Sequence, residues 1–270
     1  MRMSNLVSRV LTAVIALPLL TALILWEQRL AFGALMVLCS LLAMGEYTHM
    51  LLRALAGGQR AVVVATGTLL TVALYLRPDL ALLWFVAAVM VGLTAVLLRP
   101  GEIAGAAARA GLVVLGMIYV GGLTAPLGLL HRQLPDGPRW VLTALAATFA
   151  NDTGAYFAGR ALGRHKLYPA ISPAKTVEGA VGGLGLCVAV LFLVRATFFP
   201  ALTVADCLLV AIPASVVGPI GDLVESMLKR AAGVKDSGHL IPGHGGILDR
   251  VDAVLFVGAW VYAYAAFIRG

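Results

Sequence analysis

The chain has 270 residues, of which 61% are hydrophobic and only 12% charged, with a formal net charge of +7. A soluble globular domain is roughly 45–50% apolar and about 25% charged, so this composition excludes an ordinary soluble enzyme and defines a polytopic membrane protein. Aromatic residues make up 7%, and the apolar runs are continuous rather than alternating, which favours helices over a barrel. Lys/Arg in such a chain serve topology and anionic headgroups, so no nucleic-acid partner is expected.

A helix crosses the hydrocarbon core with ~20 apolar residues. On that ruler nine runs are predicted to span: 10–26, 31–52, 61–76, 80–98, 111–130, 139–158, 178–196, 202–221 and 251–268. The fold class expected is therefore all-α, a polytopic integral membrane helical bundle. The run 10–26 has no small-residue cleavage site and is followed at once by another, so a removable signal peptide is not expected. The breaks carry turn chemistry, at Gly57-Gly58, Arg77-Pro78-Asp79, Arg99-Pro100-Gly101 and Pro135-Asp136-Gly137-Pro138. No internal repeat or soluble domain stands out. Residues 1–135 are expected to form a scaffold of helices with candidate dimer contacts, and 136–270 the catalytic region with its polar loops. Cys39, Cys187 and Cys207 each sit in an apolar run, without a CxxC or Cys/His cluster, and read as core residues.

With the N-terminus in the cytoplasm, fourteen of the twenty Lys/Arg fall on the inner side. The positive-inside bias thus predicts N-in, C-out. It also places the two long polar segments, 159–177 and 222–250, on the cytoplasmic side, where soluble nucleotides are found. Connections of this length are functional or disordered, and their mixture of Gly, Pro and aliphatics with charge is not that of disorder.

Ionisable residues within or beside a span are costly and mark function by default. Glu46 lies near the end of the second run, either reaching the interface, pairing with an Arg, or serving the site. Asp206 falls in the first turn of the eighth run, a favourable place for an acid. Asn151-Asp152 interrupts an apolar run, and Asp152 and Tyr156 share a helical face. Asp222 enters directly after apolar residues at a membrane boundary, with Ser226 and Lys229 on its face, and Glu225 and Lys229 are spaced i, i+4. A carboxylate there needs a cation, either Lys or a metal.

The stretch Ser226–Asp252 is a polar island, with Lys229, Arg230, Lys235 and Arg250 interleaved with Asp236, Asp249 and Asp252 and with glycines. Clustered carboxylates without enough His or Cys suit a hard cation such as Mg²⁺, held by one or two carboxylates plus substrate phosphates. Glycines let backbone N–H groups approach phosphate, and Lys and Arg neutralise it. Together these parts describe phosphoryl or nucleotidyl transfer. His239 and His244 alone do not make a zinc site. The chain contains no GxxxxGK[ST], GxSxG or HExxH.

At these residues the sequence resembles the phosphatidate cytidylyltransferase (CDP-diacylglycerol synthase) family. The C-terminal signature is met from Ser226 through Lys229-Arg230, Lys235-Asp236, Gly238, Pro242, His244-Gly245-Gly246, Asp249-Arg250 and Asp252. A second block reads Asn151-Asp152, Ala155-Tyr156, Gly159, then Ser172-Pro173-Ala174-Lys175-Thr176-Val177-Glu178-Gly179, where Ala174 and Val177 depart from the Lys and aromatic of many members. The resemblance implies that CTP and phosphatidate give CDP-diacylglycerol and pyrophosphate, with Mg²⁺ required and a second, monovalent cation as a further candidate. It implies Asp222 and Asp249 as metal ligands, with Asp152 and Asp252 next in rank. Lys229, Arg230, Lys235 and Arg250 would hold phosphates. Asp236 and His244 belong to the catalytic set. Asn151, Asp152, Tyr156, Ser172, Lys175, Thr176, Glu178, Ser226, Gly245 and Gly246 would bind substrate. The expected setting is a homodimer in the inner membrane with its active site facing the cytoplasm and the bilayer lipid. A secondary transporter, the rival reading, would place its polar residues near the midplane in two matching halves. A CDP-alcohol phosphotransferase would need a D-G-x₂-A-R pattern, absent here.

Overall fold

The computed structural model describes residues 14, 17–26, 28–240 and 245–269. Residues 17–25 are helical (α1), and the rest of the expected run 10–26 lies almost entirely outside the described residues, as does His244. There follow α2 (Arg29–Leu51), α3 (Gly57–Leu76), α4 (Ala81–Leu98), α5 (Ala106–Gly116), a π-helical turn (Met117–Gly122) and α6 (Leu123–Gln133). Next come α7 (Gly137–Leu162), β1 (Lys166–Tyr168), β2 (Ser172–Thr176), α8 (Val177–Thr197), α9 (Val204–Ala231) and α10 (Leu248–Ala263), which ends in a second π turn (Tyr264–Ile268).

Among the described residues, seven helical segments are long and apolar enough to cross a membrane: Arg29–Leu51, Gly57–Leu76, Pro78–Leu98, Ile103–Gln133, Val177–Thr197, Val204–Ala231 and Leu248–Ile268. The chain is therefore an all-α polytopic membrane protein. α7 has the length, with 26 residues, but Thr143, Thr148, Asn151 and Asp152 make it more polar than those seven.

The chain folds as two compact units. One comprises residues 1–129 and 231–250, the other 130–230 and 251–270. In the first, polar side chains join apolar helices at a few points. Ser40 and Thr71 hydroxyls meet at 2.7 Å, and Thr71 Oγ1 also donates to the Gly121 carbonyl at 2.7 Å. Tyr47 donates its hydroxyl to the Leu112 carbonyl at 2.8 Å. Gln59 Oε1 accepts from Ala56 N at the start of α3, while its amide donates to the Ala95 and Arg99 carbonyls at the end of α4. One side chain thus satisfies orphan groups at two helix ends.

In the second unit α7 and α8 lie almost in backbone contact. A Cβ on Gly154 would come within 2.6 Å of the Gly182 carbonyl oxygen, so small residues are what permit the approach. α9 carries Pro213 and Pro219 inside its length. Each lacks an N–H and frees the carbonyl four residues earlier. The carbonyl freed by Pro213 belongs to Leu209, and Trp260 Nε1 of α10 donates to it at 3.1 Å. α9 and α10 approach closely again at Gly221, where a Cβ would stand 2.6 Å from the Asp252 carbonyl oxygen. At the far end of this unit, buried Asp206 accepts from the Tyr264 hydroxyl at 2.6 Å and from Thr203 N at 2.7 Å, and pairs with Arg269.

One feature was not foreseen in the polar segments. Residues 166–176 form an antiparallel hairpin, with Lys166 opposite Thr176 and Tyr168 opposite Ser172. The helix of the eighth run continues past 221 to Ala231, as the helical spacing of Asp222, Ser226 and Lys229 anticipates. Asp222, Glu225, Ser226, Lys229 and Arg230 therefore ride on one rigid element.

Candidate active site

In the second unit a cleft of about 530 Å³ opens between α7, the hairpin, the start of α8 and α9. Asn151, Asp152, Tyr156, Ser172, Lys175, Thr176 and Asp222, all expected to be site residues, line it. They are gathered because α7 delivers one helical face, β2 crosses it, and the proline-containing half of α9 closes the side.

Lys175 on β2 and Asp222 on α9 form the central contact. Lys175 Nζ stands 2.8 Å from Asp222 Oδ2, with side chains 23% and 38% exposed. Such a pair is neither buried nor fully solvated, so its charges are available to a ligand. The same ammonium donates to the Pro219 carbonyl at 3.4 Å. Asp222 Oδ1 accepts from the Ser226 hydroxyl one turn on, at 3.2 Å. Asp252 sits within electrostatic reach of Asp222, Asp152 and Lys229. Three carboxylates thus share one neighbourhood, although among the described residues no three His, Cys, Asp or Glu side chains converge as a complete metal-ligand set.

Not every expected residue faces the cleft as a ligand. Thr176 is the N-cap of α8, its Oγ1 accepting from Gly179 N at 3.1 Å. Glu178 does not line the cleft; it accepts from Arg164 N at 3.1 Å and meets His165 Nδ1 at 2.6 Å, closing the mouth of the hairpin. Lys229 pairs with fully buried Glu225 on the next turn. Arg230 is exposed on the last turn of α9. Asn151 is 3% exposed and lines the cleft, its Oδ1 lying against Gly183 of α8 with no hydrogen-bond donor among the described residues.

Arg160 was missed by the sequence reading. It lines the cleft and donates to the Tyr156 hydroxyl at 2.9 Å. The i, i+4 spacing of Tyr156 and Arg160 on α7 was the available signal.

In the first unit the remaining residues build a tight turn ahead of α10. Asp249 Oδ2 accepts from Ser237 N at 2.9 Å, Ser237 Oγ at 2.9 Å and Gly246 N at 2.8 Å. Glu46, on α2, accepts from Ile247 N and Leu248 N, both at 2.9 Å, and from Ser237 Oγ at 3.0 Å. Gly245 has φ +80°, a conformation L side chains rarely adopt, and a Cβ there would lie 2.6 Å from Asp249 Oδ2. Gly246 is buried against Glu46 and Ser237. Gly245 and Gly246, expected to bind substrate, are thus required by the turn itself. Lys235, Asp236 and Arg250 are exposed around it.

The fold and the cleft define a class: a polytopic helical membrane protein with a carboxylate- and lysine-lined polar site. Residues 7–268 match the cytidylyltransferase family, and the chain belongs to that family. It is 34% identical over 268 residues to the phosphatidate cytidylyltransferase of Brucella suis biovar 1 (strain 1330), covering 98% of this chain and 94% of that one. It is 50% identical over 123 residues to the phosphatidate cytidylyltransferase of Staphylococcus haemolyticus (strain JCSC1435), covering 45% of this chain and 47% of the relative. With the enzyme of the same name from Bacillus subtilis (strain 168), identity is 44% over 158 residues, 56% of each chain. The match thus spans about half the length of the staphylococcal and Bacillus relatives, and nearly all of the Brucella one.

Proposed function

We propose that this protein is a phosphatidate cytidylyltransferase, transferring CMP from CTP to phosphatidate to give CDP-diacylglycerol and pyrophosphate. The observation that carries the reading is the Lys175–Asp222 pair in a polar cleft of an otherwise apolar chain. Family membership and the printed names of the relatives support it. Nothing favours the transporter alternative.

In the reaction, a phosphatidate phosphate oxygen attacks the α-phosphorus of CTP. The new P–O bond forms as the bond to the bridging oxygen breaks, and pyrophosphate leaves with that electron pair. A phosphate monoester is largely dianionic near neutral pH (its second pKa is about 6), so no strong protein base is needed. Positioning and charge neutralisation carry such a step.

The donor set fits Mg²⁺: Asp222 and Asp152 in the cleft, with Asp252 in electrostatic reach, offer oxygen ligands and excess negative charge. Held there, the ion would neutralise the triphosphate and the leaving pyrophosphate. Lys175 compensates Asp222 and donates to a phosphate once one arrives. Arg160 adds a second cation on the same wall, oriented by Tyr156. Lys229 is held on α9 by Glu225, and Arg230, Lys235 and Arg250 supply exposed positive charge. Asp249, the other metal ligand that the resemblance implies, has its carboxylate oriented within the first unit by Ser237 and Gly246. A monovalent cation beside Mg²⁺, a homodimer, and an inner-membrane enzyme with its site facing the cytoplasm complete the proposal.

The test is direct. The detergent-purified chain is given phosphatidate and labelled CTP, with and without Mg²⁺. A labelled lipid that appears only with Mg²⁺ supports the reading, and an intact preparation that yields none overturns it.

A further inference from the structure

We propose that Glu46 is a positioning residue for the reaction, holding the segment that carries Asp249. What Asp249 does rests on the cytidylyltransferase reading; how Glu46 holds it rests on geometry alone. Glu46 is on α2, about two hundred residues from its partners in sequence, and it uses both carboxylate oxygens. Oε1 accepts from Ile247 N at 2.9 Å, and Oε2 from Leu248 N at 2.9 Å and Ser237 Oγ at 3.0 Å. The two amides belong to the start of α10, where N–H groups have no intrahelical acceptor. Negative charge is favoured there by the aligned peptide dipoles.

The same Ser237 hydroxyl lies 2.9 Å from Asp249 Oδ2, and Asp249 N approaches Ser237 Oγ at 3.3 Å. The hydroxyl lies between the two carboxylates, within reach of both, and its single hydrogen goes to one of them at a time. Glycines make the grip possible. A Cβ on Gly238 would come 2.6 Å from Glu46 Oε1, and one on Gly246 would collide with the Glu46 carboxylate and with Ser237 Oγ. A carboxylate within the apolar segment Arg29–Leu51 is costly to keep. Among the described residues its partners are two backbone amides of the turn and the Ser237 hydroxyl. Without Glu46, α2 and α10 retain their internal hydrogen bonds, and the loss falls on the placement of residues 237–240 and 245–249.

The test uses the full-length chain in detergent, as Glu46→Gln, Glu46→Ala and, as a control on the same helix, Ser40→Ala. Steady-state kinetics are read with amide hydrogen exchange and thermal unfolding. Misplacement by an ångström costs about a hundredfold in rate, so Glu46→Gln is expected to lower kcat by about ten- to a hundredfold. The KM for CTP should stay near the wild-type value. Exchange should accelerate in residues 234–240 and 245–249 and not along the rest of α2. Ser40→Ala should leave kcat unchanged. Wild-type kcat in both Glu46 variants would overturn the proposal, as would exchange that rises evenly along the chain. If Glu46→Ala fails to fold, Glu46→Gln decides. If the wild-type chain makes no CDP-lipid, the activity reading fails, and the local exchange change still decides whether Glu46 holds the segment.

Discussion

Lys175 Nζ, on a two-stranded hairpin, meets Asp222 Oδ2, on a proline-containing transmembrane helix, at 2.8 Å. The pair joins the hairpin to α9 within the second unit and sets the chemistry of its cleft. Asp152 lies in the same cleft and Asp252 within electrostatic reach, and Lys175 shares the cleft wall with a second cation, Arg160.

Replacement of Lys175 by Met should therefore weaken CTP binding. A hydrogen bond to a charged group is worth about 1.5–3 kcal/mol, which corresponds to about a ten- to hundredfold rise in KM for CTP. The expected pattern is a larger change in KM than in kcat, read from initial rates across CTP concentrations. An unchanged KM would show that Lys175 only balances Asp222.

Asp249→Asn tests the turn ahead of α10. Asn keeps one acceptor oxygen but replaces the other with an NH₂ group, where Asp249 Oδ2 now accepts three hydrogen bonds. Turnover should be abolished while the protein stays folded, with an unfolding midpoint lowered by the weaker acceptor. Wild-type activity at high Mg²⁺ would remove Asp249 from the site.

Gly245→Ala should be as damaging to activity with a smaller side chain. At φ +80° an L residue is strained by about 1–2 kcal/mol, and the added carbon would crowd Asp249 Oδ2. Rates should fall, and amide exchange in residues 245–249 should rise.

Tyr264→Phe separates stability from catalysis. The hydroxyl donates to buried Asp206 at 2.6 Å, far along α10 from Asp252. Loss of a bond to a charged group costs about 1.5–3 kcal/mol. The thermal midpoint should drop, while kcat at an assay temperature well below it should be unchanged.

Much of this was legible in the sequence because hydropathy and length dictate spans. The runs 61–76, 80–98 and 178–196 differ by only a few residues from α3, α4 and α8. The block from Asn151 to Thr176 was recognisable because polar residues in an apolar chain must be brought together by something, and the cleft contains them. The hairpin was not legible: Ser172-Pro173-Ala174-Lys175-Thr176 has neither alternation nor β-branched enrichment, and its pairing depends on α7 and α8. The helical continuation of α9 past Asp222 was legible in the spacing of Asp222, Ser226 and Lys229 and of Glu225 and Lys229, and the last two close as an ion pair. Glu46 could be flagged as an acid in an apolar run, but its partners are backbone amides about two hundred residues away, which no local pattern encodes.

The central claim is that the cleft around Asp222 performs a Mg²⁺-dependent transfer from CTP to phosphatidate. Wild-type and Asp222→Asn proteins, purified in the same detergent and matched in unfolding midpoint, are to be compared for labelled lipid formed from CTP and phosphatidate across Mg²⁺ concentrations. The account predicts Mg²⁺-dependent CDP-diacylglycerol from the wild type and none above background from Asp222→Asn. Equal rates from the two proteins would contradict it.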